Sequence, residues 1–252
     1  MKRVRSGAEP EILTLFRARN PNATWSEFKN EPGCGAVFDG LAREQGFICA
    51  YCETRIGRGL KGQVEHFEPK SHATAGRNLH LDFVNLLACC EGGTWPFDKD
   101  RSLPPTSETQ HCGALKADRS PHGRMLDPRA IPSGARIWNV SSNSGTMTVD
   151  HAACVAAGVD PEVATSTIEF VGLNRIVLAR HRRAVIAELD RDAFAETDAP
   201  GNDLSLGVAI EQMLPDAWGH LPAYWSTIRA WAGPEIEPFI EANRDKVPGL
   251  AD

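Results

Sequence analysis

Residues 49–118 hold the side chains whose types and spacing could do chemistry. Cys49-Ala50-Tyr51-Cys52 puts two thiols on one turn, where both sulfurs can face a single ion. A structural zinc takes about four such ligands at the corners of a tetrahedron. The second pair is expected from Cys90 and Cys112, with Cys89 competing for the place of Cys90 because adjacent side chains point different ways. Cys34, Cys89 and Cys154 otherwise read as small buried hydrophobes. A redox dithiol at Cys49 and Cys52 is the competing reading of the first pair.

The stretch Val64-Glu65-His66-Phe67-Glu68-Pro69-Lys70-Ser71 brings a different chemistry. An imidazole titrates near neutral pH, so His66 could act as a general base toward water. Glu65 offers the hard carboxylate oxygen that Mg2+ or Mn2+ prefers. Such a cation can hold a scissile phosphate and its leaving oxygen. Asn85 could orient His66 by hydrogen-bonding its backbone, and Lys61 and Lys70 stand ready for phosphates. The competing reading of His66 is a satisfied core histidine. His72, His80 and His122 read as surface or packing residues, and His151, His181 and His220 lie outside the cluster.

Several elements must position these groups. Residues 8–47 read as helical, broken at Asn20-Pro21-Asn22, with Thr24-Trp25-Ser26-Glu27 as a capping box. Residues 55–63 read as a glycine-rich, basic hairpin loop with residues 63–67 as its return strand, stopped by Pro69. Residues 91–111 read as a surface insertion, and residues 113–118 as a short helix. Residues 137–149 read as a small hairpin turning at Asn143-Ser144-Gly145. Residues 166–196, 204–214 and 221–243 read as three further helices.

The bulk composition narrows the choice. The chain of 252 residues allows one large domain or two small ones, and 42% hydrophobic residues suffice for an ordinary core. No apolar run approaches the roughly 20 residues of a membrane span. No apolar block follows the basic start, so a cytoplasmic protein is expected. Seven cysteines with a Cys-x-x-Cys pair suit metal ligation in a reducing compartment better than a disulfide framework. A net charge of -6 argues against nucleic-acid binding by bulk charge, while leaving room for a local basic groove. A soft boundary at Asp127-Pro128 and Ile131-Pro132 divides an N-terminal unit, residues 1–130 with a core at 48–120, from a mainly helical region, residues 131–252.

Together the motifs resemble the HNH nucleases of the ββα-metal fold, and more closely the HNH proteins of Septu and retron-associated anti-phage systems. The matching pieces are Gln45-Gly46-Phe47-Ile48-Cys49-Ala50-Tyr51-Cys52-Glu53, the Glu65-His66 stretch and Asn85-Leu86-Leu87-Ala88-Cys89-Cys90. The match continues through Leu126-Asp127-Pro128 and residues 164–175. The resemblance implies an α+β fold: a zinc-stapled ββα-metal core embedded among helices. It implies a metal-dependent nuclease, acting on DNA more than RNA, with His66 as base, Glu65 as metal ligand and Asn85 steadying the base. The third motif residue of such proteins, His or Asn, falls at Gly113, so a further metal ligand is expected from His111 in preference to Asp118. Lys116 matches a recurrent lysine of the family, expected either on phosphate or in packing. An ATPase partner is implied, docking on the helical second half. The basic stretch Arg175, Arg180, His181, Arg182 and Arg183 reads either as a solvated helix face or as a strip for the nucleic-acid backbone. The rival functions are a zinc-stabilised binding module without catalysis and a thiol oxidoreductase.

Overall fold

A computed structural model of the chain describes residues 1–57, 59–60, 62–74, 76–93, 109–195 and 204–250. Lys61, one of the expected phosphate contacts, lies outside the described residues, as do Arg58 and most of the 91–111 insertion.

The N-terminal helices form where local chemistry marks them. Helix α1 (Glu11–Arg19) starts after Pro10 and buries Leu13 and Phe16. Helix α2 (Trp25–Phe28) opens on the capping box: Thr24 Oγ1 accepts from the Glu27 N–H, and the Thr24 N–H donates to Glu27 Oε2 at 2.6 Å. Helix α3 (Gly35–Glu44) buries Val37, Leu41 and Ala42. The rings of Phe16 and Trp25 each stand 5.2 Å from that of Phe28, an aromatic wedge beneath the site.

Strand β1 (Gln63–His66) pairs antiparallel with β2 (Leu86–Cys89), placing Glu65 opposite Leu87 and His66 opposite Leu86. This corrects the expected pairing across 55–63. That segment is already engaged, because Ile48 bridges Arg55 around the cysteine turn and Gly57 bridges Leu60. All four residues of β2 are buried, so the strand needs cover on every side. A side chain closes its second edge. Gln45 Nε2 donates to the Ala88 carbonyl at 2.7 Å while Gln45 Oε1 accepts from the Ala88 N–H at 2.9 Å. The Ala50 N–H donates to the same carbonyl.

Helix α4 (Cys112–Lys116) follows, its first N–H donated to the Val171 carbonyl at 2.8 Å. Strands β3 (Trp138–Val140) and β4 (Met147–Val149) form the expected hairpin. Helices α5 (His151–Ala156) and α6 (Pro161–Phe170) come next, α6 capped by Asp160 with Pro161 in its first turn. The helical run expected over residues 166–196 is in fact divided. Gly172 turns left-handed (φ 64°) between α6 and α7 (Ile176–Ala195), and a Cβ there would meet Leu115 at 2.7 Å. Helix α8 (Leu204–Met213) is as expected, whereas residues 221–243 hold α9 (Trp225–Ala232) and α10 (Glu237–Ala242). The break falls at Gly233-Pro234, where the proline ring excludes helix continuation.

The architecture is α+β. One buried cluster joins α1–α6 with both strand pairs, and Ile131, Ile137 and Trp138 share it with Leu41 and Leu86. A second cluster is packed from α7–α10 and Ile48. Among the described residues no helix is long and apolar enough to cross a membrane.

Candidate active site and metal centre

Three segments converge on one point: the turn after Ile48, the end of β2 and the start of α4. There the Sγ atoms of Cys49, Cys52, Cys90 and Cys112 lie within 4.8 Å of one another, all four side chains buried. Tetrahedral zinc with bonds to sulfur of about 2.3 Å sets its sulfurs about 3.8 Å apart. Cys49 and Cys112 are 3.9 Å apart, and Cys52 and Cys90 are 3.7 Å apart. This donor set fits a metal such as zinc. Cys89 is not in the group; burial, with the neighbouring Cys49, pushes its thiol well up and leaves it a small apolar side chain.

The surroundings of the cluster are built from backbone strain and polar anchors. Cys112 takes φ 54°, a conformation that costs a non-glycine residue about 1–3 kcal/mol and persists only where neighbours hold it. The Cys112 N–H on Val171 and the His111 N–H on the Gly92 carbonyl supply that hold. Glu53, directly after the first cysteine pair, accepts from the Ser226 N–H at 2.8 Å and from Ser226 Oγ at 2.6 Å. The start of α9 is thereby tied to the metal turn.

His66 ends β1 with only 6% of its surface exposed. Its Nε2 lies 3.0 Å from the His80 carbonyl oxygen. A carbonyl only accepts, so Nε2 carries the proton and Nδ1 keeps the lone pair. Nδ1 takes no hydrogen bond from the described residues and is not among their sealed polar atoms. The Trp25 ring stands edge-on at 5.2 Å, and the Trp25 N–H donates to His80 Nδ1, fixing the carbonyl that fixes the imidazole. Burial pulls His66 down to about 4, against the upward pull of the His80 carbonyl, so the imidazole is neutral at pH 7.

Asn85 is buried and fully bonded, but not to His66. Its Oδ1 accepts from the Glu68 N–H at 2.7 Å, and its Nδ2 donates to the carbonyls of Glu68 and Leu79. The side chain closes the base of the loop between Glu68 and Leu79. The expectation of a bond to the His66 backbone is corrected to a clamp on the loop that leaves His66 and returns to His80.

Glu65 lies beside α4. Its Oε1 is 3.0 Å from Lys116 Nζ. Burial pushes the carboxyl up, and the Lys116 ammonium draws it part of the way back. Lys116 is 1% exposed and paired with Glu65, which favours its packing reading over a place on phosphate. His111 is set against the thiols. Its Nδ1 faces the sulfurs, 3.1 Å from Cys112 and 3.9 Å from Cys90. Asp118 is exposed past the end of α4. Lys70, half-buried in a short 3-10 turn, keeps its charge near His66 and Glu65. The expected basic strip is divided by burial. Arg182 turns inward to the carbonyls of Gly145 and Leu173, while Arg180 and Arg183 are exposed.

The chain is 32% identical over 209 residues to "Retron Ec83 putative HNH endonuclease" of Escherichia coli, covering 74% of this chain and 79% of the relative. It belongs to the retron HNH endonuclease family. A second retron HNH relative, "Retron Vc95 putative HNH endonuclease" of Vibrio cholerae, is 28% identical over 111 residues, 43% of this chain and 48% of that one. No family model matches the chain. Membership of the retron HNH endonucleases supports a nuclease function.

Two contributors were missed by sequence reasoning. The His80 carbonyl is a backbone group and leaves no mark in residue type. The pairing of Lys116 with Glu65 is the other, although its spacing of three from Gly113 places both on one face of a helix.

Proposed function

We propose that the protein is a metal-dependent endonuclease that hydrolyses phosphodiester bonds of nucleic acid, DNA more than RNA. In this reading the β1–β2–α4 succession is a ββα-metal core stapled by zinc. The observation that carries the proposal is the state of His66: neutral, with Nε2 capped by a carbonyl and Nδ1 open, one residue from a carboxylate. Nδ1 takes the proton from the attacking water. Asn85 and the His80 carbonyl hold the imidazole at one angle, so the base is positioned before substrate arrives. Lys70 lends charge to the phosphate chain.

The second cation of this reading, Mg2+ or Mn2+, would draw one hard oxygen from Glu65. Among the described residues no second carboxylate joins it in a three-ligand group. That donor set fits a cation that shares its coordination with substrate phosphates, a common arrangement for magnesium. When bound, such a cation would screen the phosphate charge and steady the leaving oxygen.

By the same resemblance, the protein is the effector of a cytoplasmic anti-phage complex, restrained and released by an ATPase subunit that docks on residues 131–252. The deciding experiment is cleavage of DNA and RNA substrates with Mg2+, Mn2+ or chelator, alone and with a co-encoded ATPase. Metal-dependent cleavage lost in His66→Ala supports the reading. Binding of nucleic acid with no cleavage under any metal favours the zinc-stabilised binding module instead.

A further inference from the structure

We infer that Lys116 is the resident counter-ion of Glu65, competing with the divalent cation for one carboxylate, so that the free protein holds that cation weakly until nucleic acid brings phosphate ligands. The inference rests on the reading of Glu65 as oxygen donor to that cation. Four observations carry it.

First, the ammonium of Lys116 is almost wholly covered and has Glu65 at 3.0 Å, with the Ala117 carbonyl at 3.2 Å as its second partner. A buried charge is stable only when paired, so Lys116 cannot release Glu65 without a substitute negative charge nearby. Second, the other candidates that could have completed a metal site face elsewhere. His111 addresses the sulfurs, Asp118 is exposed, and the one group of three or more ligands among the described residues is the four cysteines.

Third, the bare α-carbon of Gly113 makes the pairing possible. A Cβ at that position would stand 2.4 Å from Glu65 Oε2. The carboxylate therefore lies across α4 where a side chain would otherwise project, and it meets Lys116 one turn further on. Fourth, α4 is pinned at both ends by left-handed residues, Cys112 (φ 54°) and Ala117 (φ 48°), which hold Lys116 at a fixed height above Glu65.

The electrostatic consequence is direct. A carboxylate already neutralised by an ammonium offers a divalent cation little net attraction. An incoming phosphodiester supplies oxygen ligands and negative charge to the cation itself, and offsets the Lys116 charge through space without touching the buried ammonium. Cation and nucleic acid should then bind with positive linkage.

The test is a Mn2+ titration of the zinc-loaded full chain without nucleic acid, read by the electron paramagnetic resonance of free Mn2+. Lys116→Met should bind Mn2+ roughly tenfold or more tightly than the parent, and adding Glu65→Gln to it should abolish the gain. Unchanged or weaker binding in Lys116→Met overturns the inference. If Lys116→Met fails to retain zinc, Gly113→Asn serves instead. Its side chain would push the carboxylate off the ammonium and add an amide oxygen, so the same tightening is expected, and its absence is equally fatal. The parent alone must bind more tightly once a non-cleavable DNA is added; equal affinity also overturns the inference. A failure of the underlying nuclease reading shows separately, as absence of cleavage under every metal.

Discussion

The metal side and the helical side of the molecule hold themselves together by different means. Around His66 the regular structure is thin: two four-residue strands and a five-residue helix. These elements share the larger apolar cluster, and polar devices add to it there: four thiols, a glutamine amide that stands in for a third strand, an asparagine clamp and a buried ion pair. The α7–α10 region leans on packing, with the Arg229–Glu237 ion pair between α9 and α10 as its main polar tie. It packs Leu189, Val208, Met213, Trp225, Ile228 and Ile236 by ordinary apolar burial. A site built from few, directional contacts fixes side chains at defined angles and fails abruptly when one contact goes. A packed helical region loses stability in proportion to the volume removed.

The sharpest way to break the contrast is to deprive the four thiols of any zinc they hold. Structural zinc contributes an apparent ~10–16 kcal/mol to small domains. Chelation, or Cys52→Ala, should therefore unfold the β1–β2–α4 region while α7–α10 keep much of their helical signal. Near-ultraviolet dichroism from Trp25 should collapse while far-ultraviolet helix dichroism falls only partly. Thermal unfolding unchanged by chelator would mean that the sulfurs hold no stabilising ion.

His66→Ala probes the same side without touching its scaffold. Loss of a general base costs about 10²–10⁴-fold in rate. Cleavage should fall by that factor with zinc content and melting temperature close to the parent's. Cutting at the parental rate would show that the imidazole is a packing residue after all.

Trp225→Ala is the mirror experiment. Trp225 is fully buried and its Nε1 donates to the Met213 carbonyl at 3.0 Å. The truncation should cost about 3–5 kcal/mol of stability. Specific cleavage activity, measured well below the melting temperature, should stay within a factor of about two, since α9 meets the metal turn through Ser226 and Tyr224 rather than through this ring. A large loss of activity at full foldedness would join the two sides more tightly than their contacts suggest.

The same contrast explains what could be read in the sequence. The capping box, the β3–β4 turn and α8 are local, and short-range chemistry sufficed for them. Cys49, Cys52, Cys90, Cys112 and the Glu65-His66 pair stood out because few residue types do that work. The pairing of β1 with β2 was missed because their partners lie twenty or more residues apart and the nearer segment looked like a hairpin. The breaks at Gly172 and Gly233 were missed because apolar periodicity continues across them, while the backbone turns for reasons of packing. Lys116 stays open between phosphate and packing in the sequence because a lysine's position does not reveal whether its charge faces phosphate or carboxylate.

Asn85→Ala sharpens the comparison at intermediate size. Three hydrogen bonds to main-chain groups disappear, leaving the Glu68 N–H and the carbonyls of Glu68 and Leu79 unpartnered in a covered place. The cost should be about 2–3 kcal/mol, with a larger fall in kcat than in substrate affinity as the imidazole loses its fixed angle. Asn85→Asp keeps only the acceptor for the Glu68 N–H and directs negative charge at two carbonyls, so it should be no better than alanine. Equal stability of the parent and both variants would remove the clamp from the account.

The smallest expected effect decides where nucleic acid runs. Lys70 sits near Glu65 and His66, whereas Arg183 is exposed on α7. If the phosphate chain passes the metal side, Lys70→Ala should weaken binding by about 1 kcal/mol or less for every sequence and reduce the salt slope by about one. Arg183→Ala should leave both unchanged, because a solvated arginine away from the backbone releases no counterions on binding. The opposite result, a slope change in Arg183→Ala alone, would place the phosphate track on the helical side. The exposed arginines of α7 would then guide the strand, and the proposed ATPase subunit would have to dock on another face.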